Sequence, residues 1–145
     1  RSSILSDKVE VTTLEKEIAI VKDYLALEYI RFADRLKVSY DIDESILSNQ
    51  IPPMMVQILV ENAIKHGLSK QPGDCEIKLF VKKEAGKLVI QVNNTGHLDK
   101  DENLGFGLQS TRERLQILYG NEGSFEIFQS QQNQVTAKLI IPIAL

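Results

Sequence analysis

The order of helix-like and strand-like segments constrains the fold of this chain more than any other feature of its sequence. Apolar residues recur at helical spacing over residues 14–32, 54–66 and 108–119. Five short stretches alternate like strands, at residues 36–42, 76–82, 88–92, 125–129 and 135–141. This order predicts an α/β (α+β) two-layer sandwich, in which a mixed sheet of about five strands is covered on one face by about three helices.

Local residue chemistry predicts where the helices begin and end. Thr12 or Thr13, with the glutamates that follow, predicts a capping box before the first helix. The second helix is expected to open at residues 51–53, which include two prolines, and to end at Gly67. Residues 93–107 are predicted to form an irregular loop. The expected buried stripe of the first helix consists of Leu14, Ile18, Val21, Leu25, Leu27 and Ile30.

Composition excludes several classes of function. The 145 residues fit one domain, residues 1–145, whose first 13 residues are expected to be a linker remnant. The net charge is −3 and the basic residues are scattered, so a nucleic-acid partner is not expected. Cys75 is the only cysteine, which rules out an intrachain disulfide and a cysteine-pair zinc site. No apolar run is long enough to span a membrane, and we interpret the chain as an excised domain.

The first segment that could bind a ligand contains Asn62, Lys65 and His66. Their i, i+3, i+4 spacing places an amide, an ammonium and an imidazole on one helix face. Such a face could meet a magnesium ion and a polyphosphate, because magnesium prefers hard oxygen ligands. The alternative is a solvated polar face with a Glu61–Lys65 ion pair, and this segment alone favours that alternative.

The second segment is Asn93-Asn94-Thr95-Gly96, at the end of an apolar strand. A side-chain oxygen there could accept a hydrogen bond from an adenine amino group, and the glycine would let the ring approach the backbone. In isolation, an ordinary strand-ending turn explains the same residues better.

The third segment places Gly105 and Gly107 directly before a helix. Free backbone N–H groups and the positive end of the helix dipole suit a phosphate. A short Gly-x-Gly is weak by itself, and it lacks the third glycine of the dinucleotide fingerprint. The three segments become specific through their order along the chain.

Together these segments resemble a known family. IPPMMVQILVENAIKHGL is similar to the asparagine box of the LytS/YehU-like sensor histidine kinases. LEKEIAIVKDYLALEYIRFADRL resembles the helix before that box, and GFGLQSTRERLQILYG resembles the second glycine box and its helix. The resemblance extends from about residue 14 to the C-terminus. It implies the GHKL ATP-binding fold.

The resemblance also implies site residues. Asn62 would coordinate the Mg²⁺ that bridges the phosphates of ATP, and Lys65 and His66 would lie along these phosphates. Asn94 and Gly96 would belong to the adenine pocket. Gly105 and Gly107 would belong to the mobile lid over the triphosphate, and Phe106 and Leu108 would also belong to the cofactor-binding residues. Arg114 matches the arginine of the family's Arg-Leu pair, which either touches nucleotide or braces the lid helix.

Three positions depart from related patterns. The adenine-contacting residue is normally aspartate, so Asn94 implies weaker binding, and Asn94→Asp is expected to tighten it. Ser110 stands where asparagine is common. The GHKL enzymes that hydrolyse ATP carry a glutamate one turn before the magnesium asparagine, where this chain has Ile58. Efficient hydrolysis is therefore not expected.

The resemblance implies a catalytic domain of a bacterial two-component sensor histidine kinase. Such a domain would transfer the γ-phosphate of ATP to a histidine on a separate segment, with a response regulator downstream. The acceptor histidine is missing here, so the chain should not autophosphorylate alone. The domain would be cytoplasmic in a membrane-anchored protein, without direct membrane contact. The alternatives are a degenerate nucleotide-sensing or partner-docking module and a plain interaction domain.

Overall fold

A computed structural model describes residues 10–69, 72–98 and 106–143, and within them every predicted helix and strand is present. The helices are α1 (Leu14–Phe32), α2 (Met55–Ile64) and α3 (Phe106–Tyr119). The strands are β1 (Thr12–Thr13), β2 (Leu36–Ile42), β3 (Gln50–Ile51), β4 (Cys75–Glu84), β5 (Lys87–Thr95), β6 (Ser124–Gln131) and β7 (Gln134–Pro142).

The main sheet is mixed, as predicted. Its five strands lie in the order β2-β4-β5-β7-β6, with β2 parallel to β4 and every other pair antiparallel. A small antiparallel pair, β1 with β3, was not predicted. It includes Thr12 and Thr13, which belong to the segment expected to be a linker.

The core lies between the helices and one face of the sheet. The α1 helix buries Leu14, Ile18, Val21 and Leu25 completely or nearly so. Leu27 and Ile30, predicted to lie in the same stripe, are 67% and 79% exposed. At about 100° per residue they point away from Leu25 and face the opposite side of the helix. That part of the predicted stripe is wrong.

The α2 helix begins later than the prolines suggest. Residue 51 pairs in β3, and the N-cap of α2 is Met54, a non-glycine residue with a φ of +72°. The residue before a proline is pushed toward extended backbone, so Ile51 and Pro52 are held out of the helix.

The α2 helix also does not stop at Gly67. It passes at Lys65 into a π-helical turn, Lys65–Ser69, that continues through the glycine. A Cβ added to Gly67 would lie 2.5 Å from Cys75 Sγ and 3.1 Å from the Thr95 carbonyl oxygen. The glycine therefore allows close packing and does not end the helix.

The strand that carries Asn94 is longer than predicted. Strand β5 continues through Asn93 and Asn94 to Thr95, where an irregular loop was expected. Asn94 lies opposite Ile77 of β4 and Val135 of β7. Partners on both sides satisfy the backbone hydrogen bonds and keep these polar residues in the sheet.

Candidate nucleotide-binding site

The α2 helix presents Asn62 at the border between the core and solvent. Leu59, Val60 and Ala63 are buried, whereas Asn62 is half-buried. Glu61 accepts a hydrogen bond of 2.8 Å from Gln57 Nε2, and no ion pair joins it to Lys65 in the described part of the chain. Of the alternative considered for this segment, the polar face is present, but its Glu61–Lys65 ion pair is absent from the described residues.

Two predicted site residues follow in the π-helical turn. Lys65 is exposed and His66 is half-buried. Lys65 keeps α-helical backbone angles, and its N–H donates to the Glu61 and Asn62 carbonyls, so it lies one turn after Asn62. Lys65 and His66 both follow Asn62 within four residues, on the segment that packs against the end of β5.

Gly67 brings the first two segments together. The position of its missing Cβ is 3.1 Å from Asn94 Nδ2 and 3.1 Å from the Thr95 carbonyl oxygen. Only a residue without a side chain permits this approach of backbone to backbone. The end of the Asn62 helix and the polar end of β5 therefore pack directly against each other.

The Asn94 side chain is almost fully buried, at 4% exposure. Its Nδ2 donates a 3.0 Å hydrogen bond to the Thr95 carbonyl, which turns Oδ1 to the opposite side of the amide. The neighbouring Cys75 thiol lies 3.8 Å from the same carbonyl, and burial raises its pKa to about 11. The Asn94 amide therefore keeps one acceptor oxygen away from the bond to Thr95.

Gln129 of β6 holds the backbone that follows β5. Its Nε2 donates to the Gly96 carbonyl at 3.0 Å, and its Oε1 accepts from the Leu98 N–H at 2.7 Å. The Gly96 N–H in turn donates to the Asn133 carbonyl at 3.2 Å. Gly96 has a φ of +150°, in a region that favours glycine. The predicted pocket glycine is therefore fixed by the β6–β7 hairpin.

The third segment enters α3. Gly105 lies outside the described residues, and Phe106 and Gly107 form the first turn of the helix. Leu108 is buried in the core, so its side chain anchors the helix. Arg114 donates a 3.2 Å hydrogen bond to the Pro53 carbonyl, just before α2. Of the two roles considered for Arg114, this bond is a brace between α3 and the start of α2.

Known proteins with similar sequences match nearly the whole chain. No family model matches the chain. Sensor protein LytS of Staphylococcus saprophyticus is 36% identical over 146 residues, covering 91% of this chain. The sensor histidine kinase/phosphatase LytS of Staphylococcus aureus is 28% identical over 157 residues, covering 98% of this chain. The chain is homologous to the LytS sensor histidine kinases over most of its length. It spans only 25–27% of the length of these two curated relatives.

Solved structures agree on the fold of this LytS-like domain. The catalytic domain of histidine kinase ThkA, in a nucleotide-free form, matches with a TM-score of 0.71 at 18% identity, covering 93% of this chain and 97% of that one. ThkA in complex with the response regulator TrrA matches with a TM-score of 0.65 at 14% identity, covering 93% and 42%. The predicted histidine kinase catalytic fold is confirmed.

Arg35 is a residue of the LytS-like domain that sequence reasoning missed. Its Nε donates to the Gly73 carbonyl at 2.8 Å, and its second guanidinium nitrogen donates to the Leu68 carbonyl at 3.2 Å. These bonds tie the π-helical turn and the following chain to the start of β2. The planar fork of arginine suits two carbonyls at once, but nothing in the sequence links position 35 to positions 68 and 73.

The donor chemistry of the site fits a magnesium ion held mainly by phosphate. Among residues 10–69, 72–98 and 106–143, no three His, Cys, Asp or Glu side chains cluster as a metal site. Magnesium retains several waters and needs only one or two protein oxygens beside substrate phosphates. The half-buried amide of Asn62 can supply such an oxygen. None of the helices in the described part of the chain has the length and apolarity needed to cross a bilayer.

Proposed function

We propose that this LytS-like domain binds Mg-ATP and delivers the γ-phosphoryl group to a histidine on a separate segment of a two-component sensor kinase. The observation that carries the proposal is the close approach of Gly67 to Asn94 and Thr95. It joins the helix of the candidate magnesium ligand to the strand of the candidate adenine contact. A single ligand with a charged phosphate end and a flat base end can therefore contact the helix and the strand at the same time.

The positions of these residues support a proposed role for each of them. Asn62 Oδ1 would hold the metal ion, whose charge would offset the charge of the ATP phosphates. Lys65 is exposed and donates to phosphate oxygens. Asn94 Oδ1 accepts from the adenine amino group, and Gly96 leaves room for the ring. Phosphoryl transfer requires positioning and charge neutralisation more than covalent chemistry, so these residues suffice without a nucleophile of their own.

Ile58 favours transfer to an acceptor over hydrolysis. It lies four residues before Asn62 on α2 and packs against the core. A hydrocarbon side chain cannot accept a proton from an attacking water. The acceptor that we propose is a histidine on another segment of the full-length kinase, and a response regulator then receives the phosphoryl group. The full-length protein is proposed to be bacterial and membrane-anchored, with this domain in the cytoplasm.

A second candidate is a nucleotide-sensing module without kinase activity. The observation that favours it is Asn94, which offers the adenine amino group an uncharged acceptor in place of a carboxylate.

Calorimetric titration of ATP into the domain, with and without magnesium, tests the proposal. We expect saturable binding that magnesium strengthens, followed by phosphorylation of a separately supplied acceptor segment from a LytS-like kinase. Binding of ATP without transfer to that segment would favour the sensing module. A folded domain that binds no ATP at millimolar concentration would contradict both candidates.

Substitution of Asn94 by aspartate should weaken binding, contrary to the sequence-based expectation. A carboxylate oxygen would replace the Nδ2 that donates 3.0 Å to the Thr95 carbonyl, so two acceptors would face each other. The carboxyl would also be buried, which raises its pKa and costs about 1–3 kcal/mol of stability near neutral pH. We expect several-fold weaker ATP binding by calorimetry.

The pH dependence of stability provides a check on this variant. Because the native pKa of the new carboxyl lies above its unfolded value, the unfolded state releases its proton first as pH rises. The stability of Asn94→Asp relative to the original chain should therefore fall as pH rises above about 4. Asn93→Asp is a matched control on the same strand. Tighter ATP binding by Asn94→Asp would show that the pocket is not adapted to the amide.

A further inference from the structure

Glu17 is a buried acid that the proposed reaction does not use. It lies on α1 at 2% exposure, between residues that pack into the core. Its Oε1 accepts from the Met54 N–H at 3.2 Å, and its Oε2 accepts from the Val56 and Gln57 N–H groups, both at 3.2 Å. All three donors belong to the first turn of α2 or its N-cap. A buried carboxylate is tolerated only with such partners.

Glu17 replaces the missing cap of α2. Met54 makes no side-chain capping bond, so the free N–H groups at this helix end have no local acceptor. The carboxylate satisfies them from a distant helix, and its charge complements the positive end of the α2 dipole. The orientation of α2 therefore depends on the position of α1.

The same turn is held from the other side by α3. Arg114 donates to the Pro53 carbonyl at 3.2 Å, next to the N–H that Glu17 binds. Between these two contacts, Met54 has a φ of +72°, which is unfavourable for a residue with a side chain. Such a conformation persists where the surrounding structure enforces it. Glu17 and Arg114 supply that enforcement.

We propose that Glu17 and Arg114 are positioning residues for the magnesium ligand Asn62. This inference rests on the proposed function. Asn62 lies seven residues after the first residue of α2, about 10 Å along the helix axis. A shift or rotation of the helix start therefore moves the Asn62 amide relative to the phosphates. The two contacts fix that start against α1 and against α3.

The test is ATP affinity with and without magnesium for Glu17→Gln. The amide keeps one acceptor oxygen and nearly the same shape, but it loses the charge and the second acceptor. We expect the magnesium enhancement of ATP affinity to fall about tenfold, as for outer partners of metal ligands. Affinity for ATP without magnesium should be unchanged, because the adenine side of the site does not touch Glu17. Circular dichroism at the titration temperature establishes that the variant is folded.

Thr13→Ala is the matched control. It removes the cap of α1, a 3.2 Å bond from the Lys16 N–H to Thr13 Oγ1, without touching α2. Its magnesium enhancement should equal that of the original chain even though its stability falls. If Glu17→Gln unfolds, Arg114→Met gives the same measurement from the other side of the turn. In the double variant, the fold-loss of magnesium enhancement should be smaller than the product of the fold-losses in Glu17→Gln and Arg114→Met.

The outcomes separate this inference from the proposed function. If magnesium does not strengthen ATP binding to the original chain, the proposed function is overturned. Glu17 and Arg114 would then have no magnesium ligand to position. Magnesium-strengthened binding in the original chain, with equal strengthening in folded Glu17→Gln or Arg114→Met, would overturn the positioning role alone. Loss of stability in these variants without loss of enhancement would assign both residues a purely structural role.

Discussion

Asn62→Ala will remove the magnesium-dependent part of ATP binding and leave the fold intact. Asn62 is half-buried on a helix whose core face is formed by other residues, so truncation creates no buried cavity. Substitution of a residue that only supports a metal ligand lowers metal affinity about 10–100-fold, so loss of the ligand itself should lower it at least as much. The measurement is calorimetric titration of ATP with and without magnesium.

Gln57→Ala serves as the control for this substitution. Gln57 lies on the same helix, and its side chain bonds only Glu61 among the described residues. Magnesium should strengthen ATP binding to this control as it does to the original chain. If Asn62→Ala retains that strengthening, the metal ligand lies elsewhere and the role assigned to Asn62 is wrong.

Gly67→Ala is expected to be among the most destabilising single-methyl additions in the domain. The new Cβ would lie 2.5 Å from Cys75 Sγ and 3.1 Å from both Asn94 Nδ2 and the Thr95 carbonyl oxygen. The sulfur and the backbone oxygen are both held in the sheet, so the helix end must move away from β5. Overpacking of this kind costs about 1–3 kcal/mol, and we expect the upper part of that range in urea unfolding.

A second substitution tests the cause of that loss. Cys75→Ala removes the atom in closest contact, so Gly67→Ala combined with Cys75→Ala should be less destabilised than the sum of the single changes. The contacts at 3.1 Å remain, and recovery should be partial. Additive losses would mean that the contact with Cys75 does not cause the destabilisation. ATP affinity should fall in Gly67→Ala because Asn94 is displaced.

Periodicity predicted the elements well because burial on one face determines both the pattern and the fold. The predicted boundaries were less accurate where two different physical causes select the same residue type. Gly67 has the residue type of a helix end, yet it is required by close packing against Cys75 and β5. Asn93 and Asn94 have turn chemistry, yet strands β4 and β7 on either side keep them extended.

The contacts that hold the candidate site could not be predicted, because they join residues far apart in the chain. Glu17 reaches the N–H of Met54, 37 residues away, and Arg35 reaches the Gly73 carbonyl, 38 residues away. A glutamate or an arginine on a helix is usually solvated, so neither residue type indicates such a role. One mark of Glu17 is present in the sequence: it lies three residues after Leu14 and one before Ile18, beside the buried stripe.

The strand order has a consequence for how the domain folds during synthesis. Strands β4 and β5 form a local hairpin, and so do β6 and β7, but Asn94 also requires pairing with Val135, 41 positions later. Pairing of strands so far apart in the chain loses conformational entropy before its contacts form, so it forms late. A nascent chain that has emerged from the ribosome only as far as β6 would contain Asn62 and Asn94, but Asn94 would lack its partner Val135 and Gly96 would lack its bond to Asn133. If the domain binds nucleotide as proposed, we expect that binding to require the docking of the final strand.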